Sequence, residues 1–281
     1  MLTITLDWLA MTFKEWTNET QTFIYGYAST PTVVSTSPRN GYNAATLDAN
    51  GVQAMWHTDR GEMGHHVIFS GSALRNLFEH HGISSEAILR AATHAGASFT
   101  RLDLAKDAQD VDIKLDRVWE RISEAERRGS ARSVGRIESN NGGYTIYVGS
   151  RQSEKFVRIY DKAAEQKLSG KLWYRFEIET KGMVARAVAT SLRSSHNWSG
   201  VFDSLVLSMV GEPKVLNLDN FFSEGAVPIG LPKIERHADR EHWIATQVIP
   251  AVAKFYIENP TSEAVTRLIA TLELIDRQRR E

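Results

Sequence analysis

The stretch YTIYVGSRQSEKFVRIYDK (residues 144–162), followed by LWYRFEIETKG (residues 172–182), decides how the rest of the chain is read. Two runs rich in β-branched and aromatic residues flank the short polar turn GSRQSE, which spells a hairpin. A third run of the same kind follows. In a strand, residues two apart share a face. The second run therefore sets Arg158, Tyr160 and Lys162 on one face. The third sets Arg175, Glu177 and Glu179 on one face, with Phe176 and Ile178 opposite. Upstream, ASFTRLDLAKDAQD (residues 97–110) repeats the arrangement, with Arg101, Asp103 and Asp107 on one face and Leu102 and Leu104 on the other. Three strands each bury one face and present a charged one.

Such a charged face is either the solvated outside of an antiparallel sheet or a site. Two or three convergent carboxylates are hard oxygen donors that suit Mg²⁺ or Mn²⁺. Arginine or lysine beside them suits a phosphate. Together they describe a phosphodiester site with a metal, basic clamps and a nearby nucleophile. Other chemistries lack their residues. There is no G-x-S-x-G, no phosphate-binding G-x-x-x-x-G-K-[ST], no H-E-x-x-H and no His-x-His. His65 and His66 are adjacent on a strand, so they face opposite ways: His66 goes with Ile68, His65 with Val67 and Phe69. His80 and His81 read as a polar helix end. Zero cysteines exclude disulfides, thiol catalysis and a cysteine zinc site.

The chain has 281 residues, 42% of them hydrophobic, enough for one large domain or a domain with an extension. A net charge of −1 excludes a basic coat for nucleic acid, so DNA binding would need a local patch. RRGSARSVGR (residues 127–136), with Arg128, Arg132 and Arg136, is the candidate; it reads equally as a solvated loop. No apolar run reaches the roughly 18–20 residues of a membrane span. The first residues, MLTITLDWLAMTF, lack a basic start and are interrupted by Asp7, so they do not read as a signal peptide. A cytoplasmic protein fits these features.

Patterning gives strands in the first third, with a hairpin around Asn50-Gly51, and helices over SALRNLFEHHG, SSEAILRAATHAG, IKLDRVWERISEAERRG and GMVARAVATSLRSS. The class expected is α+β, a mainly antiparallel central sheet with flanking helices and a helical C-terminal extension. The expected division is a catalytic domain over 1–216, a Gly- and Pro-rich linker over 217–235 and an extension over 236–281 with helices near 236–257 and 262–279. The last helix carries the apolar stripe Val265, Leu268, Ile269, Leu272 and Ile275. That stripe could serve a homodimer or pack on its own domain.

The motifs YVGSRQSEKFVRIYDK and LWYRFEIETKG, with TRLDLAKD, HHVIFSG and DWLAMTF upstream, resemble the replication initiation factor family. Its members are trans-acting rolling-circle initiators of small plasmids and related relaxases of conjugative elements and phages. The resemblance spans about residues 3–190. It implies a nicking and rejoining enzyme in which Tyr160 attacks one strand of single-stranded or cruciform DNA and forms a 5′-phosphotyrosyl link. Tyr147 is the competing nucleophile. Arg158 and Lys162 would stabilise the phenolate. Asp103 and Glu177, with Asp107 or Glu179, would hold Mg²⁺ or Mn²⁺. Arg101, Arg151 and Arg175 would contact DNA, and host helicase and polymerase would follow. A conjugative relaxase shares this chemistry. A non-catalytic DNA-binding regulator and a water-activating nuclease remain distinct readings of the same residues.

Overall fold

Long strands whose residues alternate between apolar and charged must bury one sheet face and commit the other to something else. The structure, a computed structural model, describes residues 2–27, 34–138, 144–195, 197–211, 221–222, 229–230, 243–259 and parts of 262–271. In chain order these form β1 (Leu2–Phe13), α1 (Asn18–Tyr27), β2 (Val34–Ser35), β3 (Ala44–Leu47), β4 (Val52–Trp56), β5 (His65–Phe69), α2 (Gly71–His81), α3 (Ser85–His94), β6 (Ser98–Gln109) and α4 (Leu115–Arg127). Then come β7 (Val134–Glu138), β8 (Tyr144–Val148), β9 (Lys155–Asp161), the short α5 (Lys162–Glu165), β10 (Trp173–Lys181), α6 (Gly182–Ser194) and α7 (Trp198–Val210). All ten strands join one sheet in the order β2-β3-β4-β5-β1-β6-β10-β9-β8-β7, and every pairing is antiparallel. The α+β class expected from the sequence is the class observed.

Helices cover one face of this sheet. Leu102, Leu104, Val157, Ile159, Phe176 and Ile178 belong to the same buried cluster as Val188 and Leu192 of α6 and Phe202 and Leu205 of α7. Leu9, Met11 and Phe69 join it beside Leu77 of α2 and Ile88 of α3. Each such side chain removed from water contributes about 1.5–3 kcal/mol. Three elements were invisible to patterning. α7 (WSGVFDSLVLSMV) is apolar nearly all round and buried, so it has no polar stripe to reveal a helical period. β7 (VGRIE) is a mostly exposed edge strand with no alternation. α1 (NETQTFIYGY) mixes strand and helix formers.

One charged residue of β6 is buried on the helix side. Lys106 follows Leu102 and Leu104 in parity and is buried. Its Nζ donates to Asp203 of α7 at 2.8 Å. The rings of Phe221, Phe202 and Phe222 stand 4.8, 5.8 and 5.8 Å from that nitrogen. Burial pulls the Lys106 pKa down, and Asp203 opposes that shift. Phe221 and Phe222 fall inside the stretch 217–235 read as a linker, yet both are buried in the main core.

The chain divides into compact units at Met1–Leu231 and Pro232–Glu281. The second unit shows a π-helical turn, Ile244–Val248, running into the helix Ile249–Glu258. The expected helical residues 236–242 and the stripe Val265, Leu268, Ile269, Leu272 and Ile275 lie outside the described residues. Among the described residues no helix is long and apolar enough to cross a membrane.

Removing one partner of a buried pair leaves an uncompensated charge, at a cost of about 3–5 kcal/mol. Lys106→Met is expected to lower stability to urea by about that much. Adding Asp203→Leu should recover most of the loss.

Candidate functional site

Register, not sequence proximity, assembles the face opposite the helices. Asp107 of β6 pairs with Arg175 of β10, which pairs with Tyr160 of β9, which pairs with Thr145 of β8. In the next rung, Glu177 pairs with Arg158, and Arg158 with Tyr147. In the third, Asp103 pairs with Glu179, and Glu179 with Phe156. The charged parity read from the sequence thus places Asp103, Asp107, Arg158, Tyr160, Arg175, Glu177 and Glu179 on one sheet face.

β1 adds a residue that the sequence reading did not assign to the site. Its pairing with β6 slips between Leu6, opposite Leu104, and Trp8, opposite Asp103. The extra residue, Asp7, sits in a β-bulge, which re-aims side chains. Leu6 and Leu9 both reach the core although three residues apart. That spacing, in a strand that otherwise alternates, is the sequence signal for the bulge. Gly71, at the start of α2, lies against it: a Cβ there would stand 2.8 Å from the Asp7 carbonyl oxygen and 3.1 Å from its Oδ1.

The charges are paired with one another. Arg175 donates from Nε and Nη2 to both oxygens of Asp107, each at 2.7 Å, and from Nη1 to Asp7 Oδ1 at 2.9 Å. Arg158 Nη2 donates to Glu177 Oε1 at 2.6 Å. Arg101 binds Asp103 through Nε and Nη2, and its Nη2 also reaches Glu179 Oε2 at 2.7 Å. Lys181 closes the row on Glu179 Oε1 at 2.6 Å. The carboxylates are therefore not a solvated outer face. Asp103 is 1% exposed and Glu177 2%. Arg101 and Arg158 keep 29% of their side-chain surface and form the outer layer.

Burial dominates the electrostatics. It pushes the Asp103 carboxyl up to about 6, against the pull of Arg101. Glu177 is also raised, first by burial and then by its interaction with Asp7, while Arg158 pulls the other way. Asp7 is held low: burial would raise it, but the bond with Glu177 and the charges of Arg175, Lys162 and Arg158 outweigh that. Glu177 therefore holds the proton of this pair. Tyr160 is half-buried, and burial together with Glu177 raises its pKa while Arg175 opposes the rise. Its hydroxyl makes no hydrogen bond among the described residues.

Other candidate residues take different positions. The strand ends at Asp161, whose carboxylate caps α5 by accepting from Ala164 N at 2.8 Å, so Lys162 begins a helix rather than continuing the face. Lys162 still reaches the site, with Nζ 5.6 Å from the Tyr160 ring and an ion pair to Glu165. Arg151 stands in the turn before β9, over Tyr147 and Phe156. The turn's Glu154 caps α6 by accepting from Met183 N at 3.0 Å, and only a glycine at 182 leaves room for that carboxylate. Arg136 is on the other face of the sheet. It pairs with Ile146 and stacks over Trp119 of α4 and over Tyr144. Arg128 is paired with Glu124 on α4, and Arg132 bonds through its backbone to Met209 of α7. The structure does not bring these three arginines to the carboxylate face. His66 does share that face, where Thr12 Oγ1 and its Nδ1 bond at 2.9 Å, and His65 stacks on Trp16.

Among the described residues no three His, Asp or Glu side chains gather as a metal cluster, because guanidinium groups separate Asp103, Asp107 and Glu179 from one another. One point fits a divalent cation. Glu177 Oε2 is buried with no hydrogen-bond partner among the described residues, and the Glu177 carboxyl interacts with that of Asp7. Two oxygens suffice for Mg²⁺, which keeps several waters and takes further ligands from a bound phosphate.

Residues 97–210 match the model of the replication initiation factor family. No curated protein matches the chain. The solved structure of a rolling circle replication initiator protein from Geobacillus stearothermophilus aligns with a TM-score of 0.64 over 74% of this chain and 86% of that one, at 21% identity. At that identity the likeness is one of fold. The family resemblance read from the motifs holds over the matched segment, which carries β6 through α7.

A proton held by the folded state and released by the unfolded chain makes stability fall with pH. For Glu177 the window runs from the ordinary 4.5 up toward about 8. Stability to urea should decline across that window in the wild type and more shallowly in Glu177→Gln, which stays neutral throughout.

Proposed function

We propose that the protein nicks and rejoins one DNA strand at an origin and so starts rolling-circle replication, with Tyr160 as the nucleophile. One observation carries this reading: a tyrosine whose hydroxyl is unbonded among the described residues stands directly opposite Arg175 on a face of paired carboxylates and guanidiniums, inside the segment that matches the initiator family. The structural neighbour is a rolling circle replication initiator protein, which favours replication over conjugative transfer by the same chemistry.

The resting site suppresses the phenolate, since burial and nearby carboxylates hold the Tyr160 proton on. A phosphate arriving over the carboxylates meets Arg158 and Arg101 first, because these are more exposed than Arg175. Arginine binds phosphate in a fork. Each guanidinium can turn from a carboxylate partner toward the phosphate. The Tyr160 oxygen then forms the new O–P bond as the bond to the 3′-oxygen breaks. The phenolic proton leaves to water from the half-exposed ring edge, and the departing 3′-oxygen takes a proton from water. The products are a 5′-phosphotyrosyl link and a 3′-hydroxyl that a polymerase can extend. Phosphodiester energy is conserved, so the reverse attack reseals the strand without a nucleotide. Mg²⁺ or Mn²⁺ held by Asp7 and Glu177 would supply positive charge to the phosphate. Arg175 fixes Asp7 and Asp107 and opposes the rise in the Tyr160 pKa. The partners of this reading are single-stranded or cruciform origin DNA, with host helicase and polymerase acting afterwards in the cytoplasm.

Labelled hairpin oligonucleotides from the gene and its flanks, incubated with Mg²⁺ or Mn²⁺ and run on a denaturing gel, test the chemistry. The expected result is a label shifted to protein size that is absent in Tyr160→Phe. Cleavage without an adduct, surviving that substitution, would establish a water-activating nuclease instead. Binding without cleavage would establish a regulator.

The bulge offers a second check. Gly71→Ala forces a Cβ against Asp7. A displacement of an ångström in such a site costs on the order of 100-fold in rate. Adduct formation by Gly71→Ala should fall toward that extent. If it proceeds at the wild-type rate, Asp7 has no part in the reaction.

A further inference from the structure

The carboxylate face continues past Arg158 to an aromatic pair that the nicking chemistry does not use. Tyr147 of β8 pairs directly with Arg158, and Thr145, two residues earlier on the same strand, pairs with Tyr160. Two residues along a strand is about 6.7 Å. The Tyr147 ring thus stands one rung from the proposed nucleophile, on the same face. Phe156, buried, stacks with it at 5.6 Å and an interplanar angle of 15°. The Arg151 guanidinium lies 5.7 Å from the Tyr147 ring and 5.6 Å from Phe156.

Three features separate this corner from packing alone. Arg151 is exposed and has no carboxylate partner among the described residues, whereas Arg101, Arg158 and Arg175 all have one. The Tyr147 hydroxyl makes no hydrogen bond among the described residues, so the residue is held by its ring. On the outer side Tyr147 pairs with Gly135, where a Cβ would meet nothing within 4 Å, and the flank of the ring is open. A flat π-surface, an exposed cation and an open flank are the elements with which proteins hold a single strand.

We infer that Tyr147 and Arg151 form a subsite for one nucleotide of single-stranded DNA, its base stacked on Tyr147 and its phosphate on Arg151, adjacent to the phosphate attacked by Tyr160. The position relative to the scissile phosphate rests on the proposed function; the stacking itself does not. Duplex DNA keeps its bases stacked on one another, so the subsite selects unpaired strand. It also gives Tyr147 a role other than that of competing nucleophile.

Fluorescence anisotropy of a labelled mixed-sequence oligonucleotide tests this on the full chain carrying Tyr160→Phe, which separates binding from cleavage. Adding Tyr147→Ala should weaken single-strand binding about tenfold or more. Tyr147→Phe and Tyr147→Trp, which keep a ring, should restore it. Arg151→Gln, at an exposed position, should weaken binding and flatten its salt dependence. Binding of the annealed duplex should follow none of these substitutions. Equal binding by Tyr147→Ala, an equal loss with Tyr147→Phe, or no single-strand binding by the parent protein would each overturn the subsite. In the otherwise wild-type chain, Tyr147→Phe should still form the covalent adduct; loss of the adduct there would make Tyr147 the nucleophile and end the proposal. If no adduct forms with any substrate but Tyr147→Ala still loses single-strand binding, the nicking reading fails and the subsite stands.

Discussion

Arg175 is the residue on which the site depends. All three of its nitrogens are engaged, two on Asp107 and one on Asp7, so a single side chain on β10 ties down a carboxylate from β6 and another from the bulge in β1. Burying two carboxylates in the middle of a sheet is unfavourable unless their charge is met with good geometry. The bidentate fork meets it. With Arg175 in place the strands can pair in register while carrying acids face to face. Without it, the buried Asp107 and the partly buried Asp7 would both lose their counter-charge. The outer arginines repeat the device with looser ties and more exposure, so what a ligand meets is a layer of guanidinium over a floor of carboxylate.

Much of this was legible in the chain, and the reason is the strict period of a strand. Arg101, Asp103 and Asp107, like Arg175, Glu177 and Glu179, stand at even spacing against apolar neighbours, and even spacing is sufficient to assign a face. It does not tell whether that face is wet. A solvated acid and one paired with a cross-strand arginine have the same spacing, and only register shows that Glu177 meets Arg158. Asp7 escaped because a bulge breaks the period at that residue; the three-residue step from Leu6 to Leu9 was the available clue. Lys162 was placed by extending the period one residue too far, past the Asp161 cap. The run holding Arg128, Arg132 and Arg136 has composition but no period until it is known that β7 begins within it. β7 then turns Arg136 toward α4, on the helix side of the sheet.

The two faces of the sheet follow opposite rules about charge. On the open side charges are numerous and answer one another across strands. On the helix side Lys106 and Asp203 form one deeply buried pair, ringed by Phe202, Phe221 and Phe222. That pair draws a short segment from beyond α7 back onto the core. The same strand, β6, serves both sides, and so does β10, where Phe176 and Ile178 alternate with Glu177.

This double duty governs which changes of length the chain can tolerate. A residue gained or lost within β6 would rotate every following side chain by half a turn. Leucines would move to the carboxylate face and aspartates under the helices. Core and carboxylate face would fail together. The centre of the sheet can therefore diverge by exchange of residues, but not by slippage of the reading register along a strand. A surplus residue is accommodated only as a local bulge: β1 carries one at Asp7 and regains its phase at Leu9, and β6 carries another at Thr100, between the Arg101–Ala10 and Phe99–Met11 pairs. A change of length is least disruptive at the rim, where β7 is five residues long and mostly exposed.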